Sequence, residues 1–280
     1  MLFDGCLLAC DVDGTLVYNG IIPPRNIEKI AYFMREGGMF SLSTGRGAAA
    51  SLTVIEQLTG VSPSIVGNGS VIYDYEHRDA IMATSISHES HAFAKEILDH
   101  YPDVGIEIHL PFDVFLLRGT EETLLHEQYE KFTAKPIDWQ TADQLLWTKV
   151  LFSADDEETL NRLTELSKNF ETEDAVFVPT KAPFWGKDHL YFEQIPRGVS
   201  KGAAARELCK RFGIEKSCYF AIGDYYNDVE MLKDSGICAA PSTAPNDLQK
   251  MVDVVVGSAQ DGAVADFIEY LAERRKGCKK

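Results

Sequence analysis

The chain has 280 residues, 45% hydrophobic and 25% charged, so it has ample material for a buried core and does not read as a disordered or fibrous sequence. Its 43 acids against 27 bases leave a formal net charge of −16, which disfavours nucleic acid and anionic membrane as partners. No run approaches the roughly 20 apolar residues of a membrane-spanning helix, and Asp4 stands where a secretory leader would be basic, so a cytoplasmic location is expected.

In chain order, Leu7-Leu8-Ala9-Cys10 predicts a buried strand that runs into Asp11-Val12-Asp13-Gly14-Thr15. On extended backbone the two acids would share a face, and Gly14 lets the chain turn, so both are expected at the strand's carboxyl tip. That tip is where α/β proteins place their ligands. Pro23-Pro24 opens a helix with Ile27, Ile30, Ala31 and Met34 at helical spacing, closed by Gly37-Gly38. Residues 39–43 predict a second strand ending in Ser43-Thr44-Gly45-Arg46, and a helix follows to about residue 58. A hydroxyl, the backbone N–H groups of a helix start and a guanidinium suit an anion. Residues 65–73, centred on Asn68-Gly69, predict a hairpin.

Near residue 83 the pattern changes. Helices are expected over residues 89–99, 120–132 and 157–169, alternating with strands over 105–110, 114–118, 149–153 and 175–179. A strand at 190–195 is read as the return to the first domain. The α/β rhythm then resumes with a helix at 200–212, a strand at 219–222, a helix at 227–234, strands at 237–240 and 252–256, and a closing helix at 262–275. The fold class expected is α/β, a Rossmann-like parallel-sheet core (residues 1–82 and 188–280) interrupted by an inserted α+β cap domain (residues 83–187).

Asp224 and Asp228 follow the apolar run at 219–222 and lie four apart across a strand-to-helix turn, so both can face one cation. An oxygen-only set suits Mg²⁺. Asn227 is read as a helix cap. Lys201 stands in the first turn of a helix, where it opposes the dipole, so an acidic cluster or a bound phosphate must favour it. The six cysteines include no CxxC pair and read as reduced thiols, and the seven histidines are read as showing no metal-ligand spacing. Trp139 and Trp147 read as insert core, while Trp185, Lys187 and His189 read as a hinge that could also contact a ligand.

Taken together, Asp11-x-Asp13-Gly14-Thr15, Ser43-Thr44-Gly45-Arg46, Val199-Ser200-Lys201-Gly202 and Gly223-Asp224-x-x-Asn227-Asp228 resemble the four motifs of the haloacid dehalogenase (HAD) superfamily, in particular its Cof-type phosphatases with a large α/β cap. Tyr225-Tyr226 departs from the smaller or polar residues usual at that point. The resemblance implies a phosphoric monoester hydrolase acting on a small phosphorylated metabolite through an aspartyl-phosphate. Asp11 would be nucleophile and Asp13 general acid and base, with Thr44 and Lys201 completing the catalytic set. Mg²⁺ would be held by Asp11, the backbone carbonyl of Asp13, Asp224 and Asp228, and substrate bound by Thr44, Arg46, Asn68, Lys201 and Asn227. A phosphomutase of the same superfamily and a non-catalytic phosphate-ligand protein are the alternatives.

Overall fold

The computed structural model describes residues 1–184 and 187–277, with the backbone alone at 182–184. Trp185, one of the residues read as a hinge, lies outside the described residues. The chain divides into two compact units: residues 1–45, 52–81 and 200–280, and residues 46–51 and 82–199.

The first unit is built on five parallel strands in the order Val254–Val256, Ile237–Pro241, Tyr219–Ile222, Leu7–Cys10, Met39–Leu42. The three central strands are apolar because both of their faces are covered. The helices Pro24–Arg35 and Ala263–Gly277 bury Ile30, Phe33, Phe267, Ile268 and Leu271 in the core that also takes Leu8, Cys10 and Phe220. Asn26 fastens this layer to the first motif. Its buried amide donates to the Leu16 carbonyl at 3.2 Å and accepts from the Ala265 N–H at 2.9 Å.

Strand order fixes where a site can form. From Leu7–Cys10 the chain crosses to Met39–Leu42 on one side, and Tyr219–Ile222 flanks the same strand on the other. The topology therefore reverses at Leu7–Cys10, and a crevice opens beyond its carboxyl end. The expected hairpin is present as Ser64–Val66 against Val71–Asp74, with Asp79–Ala83 as a third strand that the sequence pattern did not reveal.

The second unit carries a six-stranded sheet ordered Ala175–Phe184, Lys187–Pro196, Lys149–Ala154, Gly105–His109, Val114–Arg118, Lys135–Pro136. Its pairs are antiparallel except the last. The strand expected at 190–195 as a return to the first domain belongs here, because Lys187–Pro196 pairs along its length with Ala175–Phe184 and then with Lys149–Ala154. The unit accordingly runs to Val199, past the expected boundary at residue 188.

One face of this sheet is apolar, with Phe93, Ile97, Trp147, Phe152, Leu163 and Phe192 packed together. The edge-to-face rings of Phe93 against Phe152, Phe170 and Phe177 lie 4.7–5.5 Å apart, so Phe93→Ala would cost about 3–5 kcal/mol. Trp147 is fully buried there, as read from the sequence. The same strands also bury ionisable groups: Glu107, His109, Lys149 and Glu193. Helix Glu121–Glu130 adds His126 to this set, whose Nδ1 lies 2.8 Å from Glu107.

Candidate active site

The strand Leu7–Cys10 stops one residue before Asp11, so the alternation expected to place both acids on one face does not extend through Asp13. Asp11 is buried and Asp13 is exposed, its backbone bridging to Val17. Gly14 is required at this bend. Its φ is +83°, and a Cβ there would come 2.2 Å from Asp224 Oδ2.

Three of the four separated segments meet through their side chains. Asp11, Asp224 and Asp228 each offer a carboxylate oxygen within 4.8 Å of the others. Lys201, 2% exposed, donates to Asp11 Oδ1 at 2.6 Å and to Asp228 Oδ1 at 2.7 Å. This explains the cation in the first turn of helix Lys201–Phe212: two buried carboxylates outweigh the dipole. Ser200 caps that helix, accepting from the Ala203 N–H at 2.9 Å. Asp228 is the rigid member, its Oδ2 accepting from the backbone N–H groups of Asp224 (3.0 Å) and Tyr225 (3.1 Å).

The electrostatics follow from burial. Burial pushes the Asp11 carboxyl well up, with Asp228 and Asp224 adding to it and Lys201 opposing. Burial and then Asp228 push Asp224 up to about 6. For Lys201, burial works against the charge, but Asp11 and Asp228 outweigh it and raise its pKa. Three acids thus share a single buried ammonium. Asp11 Oδ2 is enclosed and has no hydrogen-bond partner among the described residues. A surplus of clustered carboxylate and an orphaned carboxylate oxygen are what a hard divalent cation satisfies, so the donor set fits Mg²⁺.

Thr44 is buried at the end of strand Met39–Leu42, its N–H donating to the Ile65 carbonyl at 3.0 Å. Asn68 sits in a left-handed turn (φ 54°) held against Ser200, where a Cβ on Gly69 would come 2.1 Å from the Ser200 carbonyl. Asn227 does not cap the following helix. That helix starts at Val229 with Asp228 before it, and the Asn227 amide instead donates to Asn68 Oδ1 at 3.1 Å. Sequence reasoning missed this pairing, since 159 positions separate the partners and each lies in a different motif. Arg46 falls with the second unit, its guanidinium 5.9 Å from the centre of the Tyr129 ring. The departing Tyr225 and Tyr226 are exposed, packed edge to face at 5.0 Å, and leave the acids undisturbed.

Among characterised proteins, the chain is 25% identical to the pyridoxal phosphate phosphatase YbhA of Escherichia coli, the match covering 94% of this chain and 97% of that one. It is also 25% identical to the 5-amino-6-(5-phospho-D-ribitylamino)uracil phosphatase YwtE of Bacillus subtilis, over 94% and 97% of the two chains. The fold superposes on the crystal structure of TM0651 from Thermotoga maritima with a TM-score of 0.79 at 22% identity, covering 95% and 97%. Residues 8–268 match the haloacid dehalogenase-like hydrolases as a family. With Asp11, Lys201, Asp224 and Asp228 gathered at one strand end, the chain belongs to that family, in its Cof-type branch, and is a hydrolase of the phosphatase class.

Proposed function

We propose that the chain is a Mg²⁺-dependent phosphatase that hydrolyses a small phosphorylated metabolite through an aspartyl-phosphate on Asp11. The observation that carries this reading is the Lys201 ammonium bridging Asp11 and Asp228 beside Asp224. Asp11, the Asp13 carbonyl, Asp224 and Asp228 would hold the cation, which when bound supplies positive charge against a carboxylate nucleophile and a phosphate dianion.

The residues divide the chemistry. Lys201 fixes Asp11 through Oδ1, which orients the carboxylate for attack on phosphorus. Asp13, exposed at the tip, protonates the leaving oxygen and then takes a proton from the water that cleaves the acyl-phosphate. The Thr44 hydroxyl donates a hydrogen bond to a phosphoryl oxygen, and the Lys201 ammonium offsets the phosphoryl charge. Asn68 and Asn227, tied to one another, position the substrate.

Pyridoxal phosphate, the ribitylaminouracil phosphate and sugar phosphates are the first substrates to assay, following the phosphatases to which the chain is similar. The test is release of inorganic phosphate from this panel and from p-nitrophenyl phosphate. Turnover is expected with Mg²⁺, to vanish with EDTA, and to be absent in Asp11→Asn. Turnover that survives EDTA would remove the metal from the reading, and isomer formation without phosphate would make the enzyme a mutase.

A further inference from the structure

We propose that His88, His91 and Asp143 of the second unit form a binding site for a late first-row transition ion, Zn²⁺ or Ni²⁺, distinct from the acidic cluster of the first unit. The three side chains each offer one ligand atom, and these atoms lie within 4.8 Å of one another. Two imidazoles and a carboxylate are a donor set for Zn²⁺ or Ni²⁺, not for Mg²⁺.

The local structure explains the convergence. His88–His91 is a single 3₁₀ turn, in which side chains three apart eclipse, so His88 and His91 stand on the same side with ring centres 5.0 Å apart. Asp143 ends the short helix Trp139–Ala142 and brings its carboxylate to 2.9 Å from His91 Nδ1. The 52 positions between His91 and Asp143 hide that contact from the sequence, whereas the three-residue spacing of His88 and His91 was visible there and was passed over.

His91 is fixed before any ion arrives. Only 1% of it is exposed, and its ring lies flat on Trp147 at 3.5 Å and 8°. Asp143 on Nδ1 and the Trp147 stack orient the ring with Nδ1 towards the carboxylate. Two ligands at about 2.05 Å in tetrahedral array lie roughly 3.3 Å apart, close to the existing His91–Asp143 edge. The exposed His88 ring supplies the adjustment. A bound ion would fasten the 3₁₀ turn to the helix end at Asp143, across 52 residues of chain.

The experiment titrates the full-length protein with Ni²⁺ in saturating Mg²⁺, which occupies the acidic cluster. Bound metal is counted by equilibrium dialysis, and tryptophan fluorescence reports on Trp147. One Ni²⁺ per chain is expected, with quenching and a higher melting temperature. His88→Ala, an exposed and therefore fold-neutral change, should weaken Ni²⁺ by at least about tenfold while phosphatase turnover with Mg²⁺ stays at the wild-type rate. Asp143→Asn should do the same. Wild-type protein that takes up no Ni²⁺, affinity unchanged in His88→Ala, or uptake that disappears instead in Asp224→Asn would each overturn the assignment.

Discussion

Lys201 and Asp11, 190 positions apart, meet at 2.6 Å with both side chains buried, and the same ammonium reaches Asp228 at 2.7 Å. Truncating this lysine leaves two enclosed carboxylates without their counter-ion. Lys201→Met is expected to cost about 3–5 kcal/mol of stability, since the charges left behind cannot be rehydrated. It should also lower kcat by roughly 10²–10³, the usual loss when a donor to developing negative charge is removed. Thermal melting in EDTA reads the first effect, and phosphate release with saturating Mg²⁺ reads the second. A variant that melts with the wild type would mean that the three carboxylates do not depend on this cation.

Asp224 and Asp228 make opposite predictions although they are four positions apart. Burial and the neighbouring acid push Asp224 up to about 6, so at pH 7.5 its ionised form is held at a cost to the folded state. Asp224→Asn should raise metal-free stability by up to about 1 kcal/mol while reducing turnover by ~10² or more. Asp228 instead accepts from two backbone N–H groups and Lys201, so Asp228→Ala should both inactivate and unfold the loop. Melting curves of the two variants in EDTA should move in opposite directions. Equal destabilisation would contradict this division.

Asn68 allows conformation and contact to be separated. At φ 54° it accepts from Asn227. Asn68→Ala pays about 1 kcal/mol for the left-handed backbone, and Asn68→Gly pays nothing for it. Both lose the amide, so both should raise KM for the phosphorylated substrate to a similar extent while only the alanine variant melts earlier. Unchanged KM in the glycine variant would remove the Asn68–Asn227 pair from substrate positioning.

Much of the first unit is legible in the sequence because parallel strands covered on both faces read as unbroken apolar runs, as in Leu7–Cys10 and Tyr219–Ile222. Lys201 was legible as an anomaly, since a cation in a first helical turn needs an acidic partner. Other features depend on pairings that local pattern does not encode. Lys187–Pro196 has the composition of any half-buried strand, and only its antiparallel partners place it in the second unit. Lys135–Pro136 has two residues and no periodicity to detect. Asp13 is exposed where Asp11 is buried because side-chain alternation holds only while the strand continues, and this strand ends at Cys10.

The second unit should carry its own pH dependence. Burial would lower His126, but Glu107 at 2.8 Å and Glu130 at 3.4 Å outweigh it and push the imidazole up to about 10. Burial would likewise raise Glu107 and Glu130, yet His126 holds each at about 2. A raised histidine stabilises fully below its unfolded value of 6.5, and that contribution is lost as pH rises through about 10. Depressed glutamates stabilise above their unfolded value of 4.5 and lose the contribution as pH falls through about 2. The cluster therefore contributes most between pH 4.5 and 6.5. His126→Gln, which keeps a polar side chain but no charge, should be less stable than wild type by about 3 kcal/mol at pH 6, with the gap narrowing steadily towards pH 10. Comparing variant with wild type at each pH cancels the general repulsion of a chain carrying −16. Denaturant unfolding at pH 6, 8 and 10 measures the gap, and a difference that stays constant across that range would show that His126 is neutral in the folded protein.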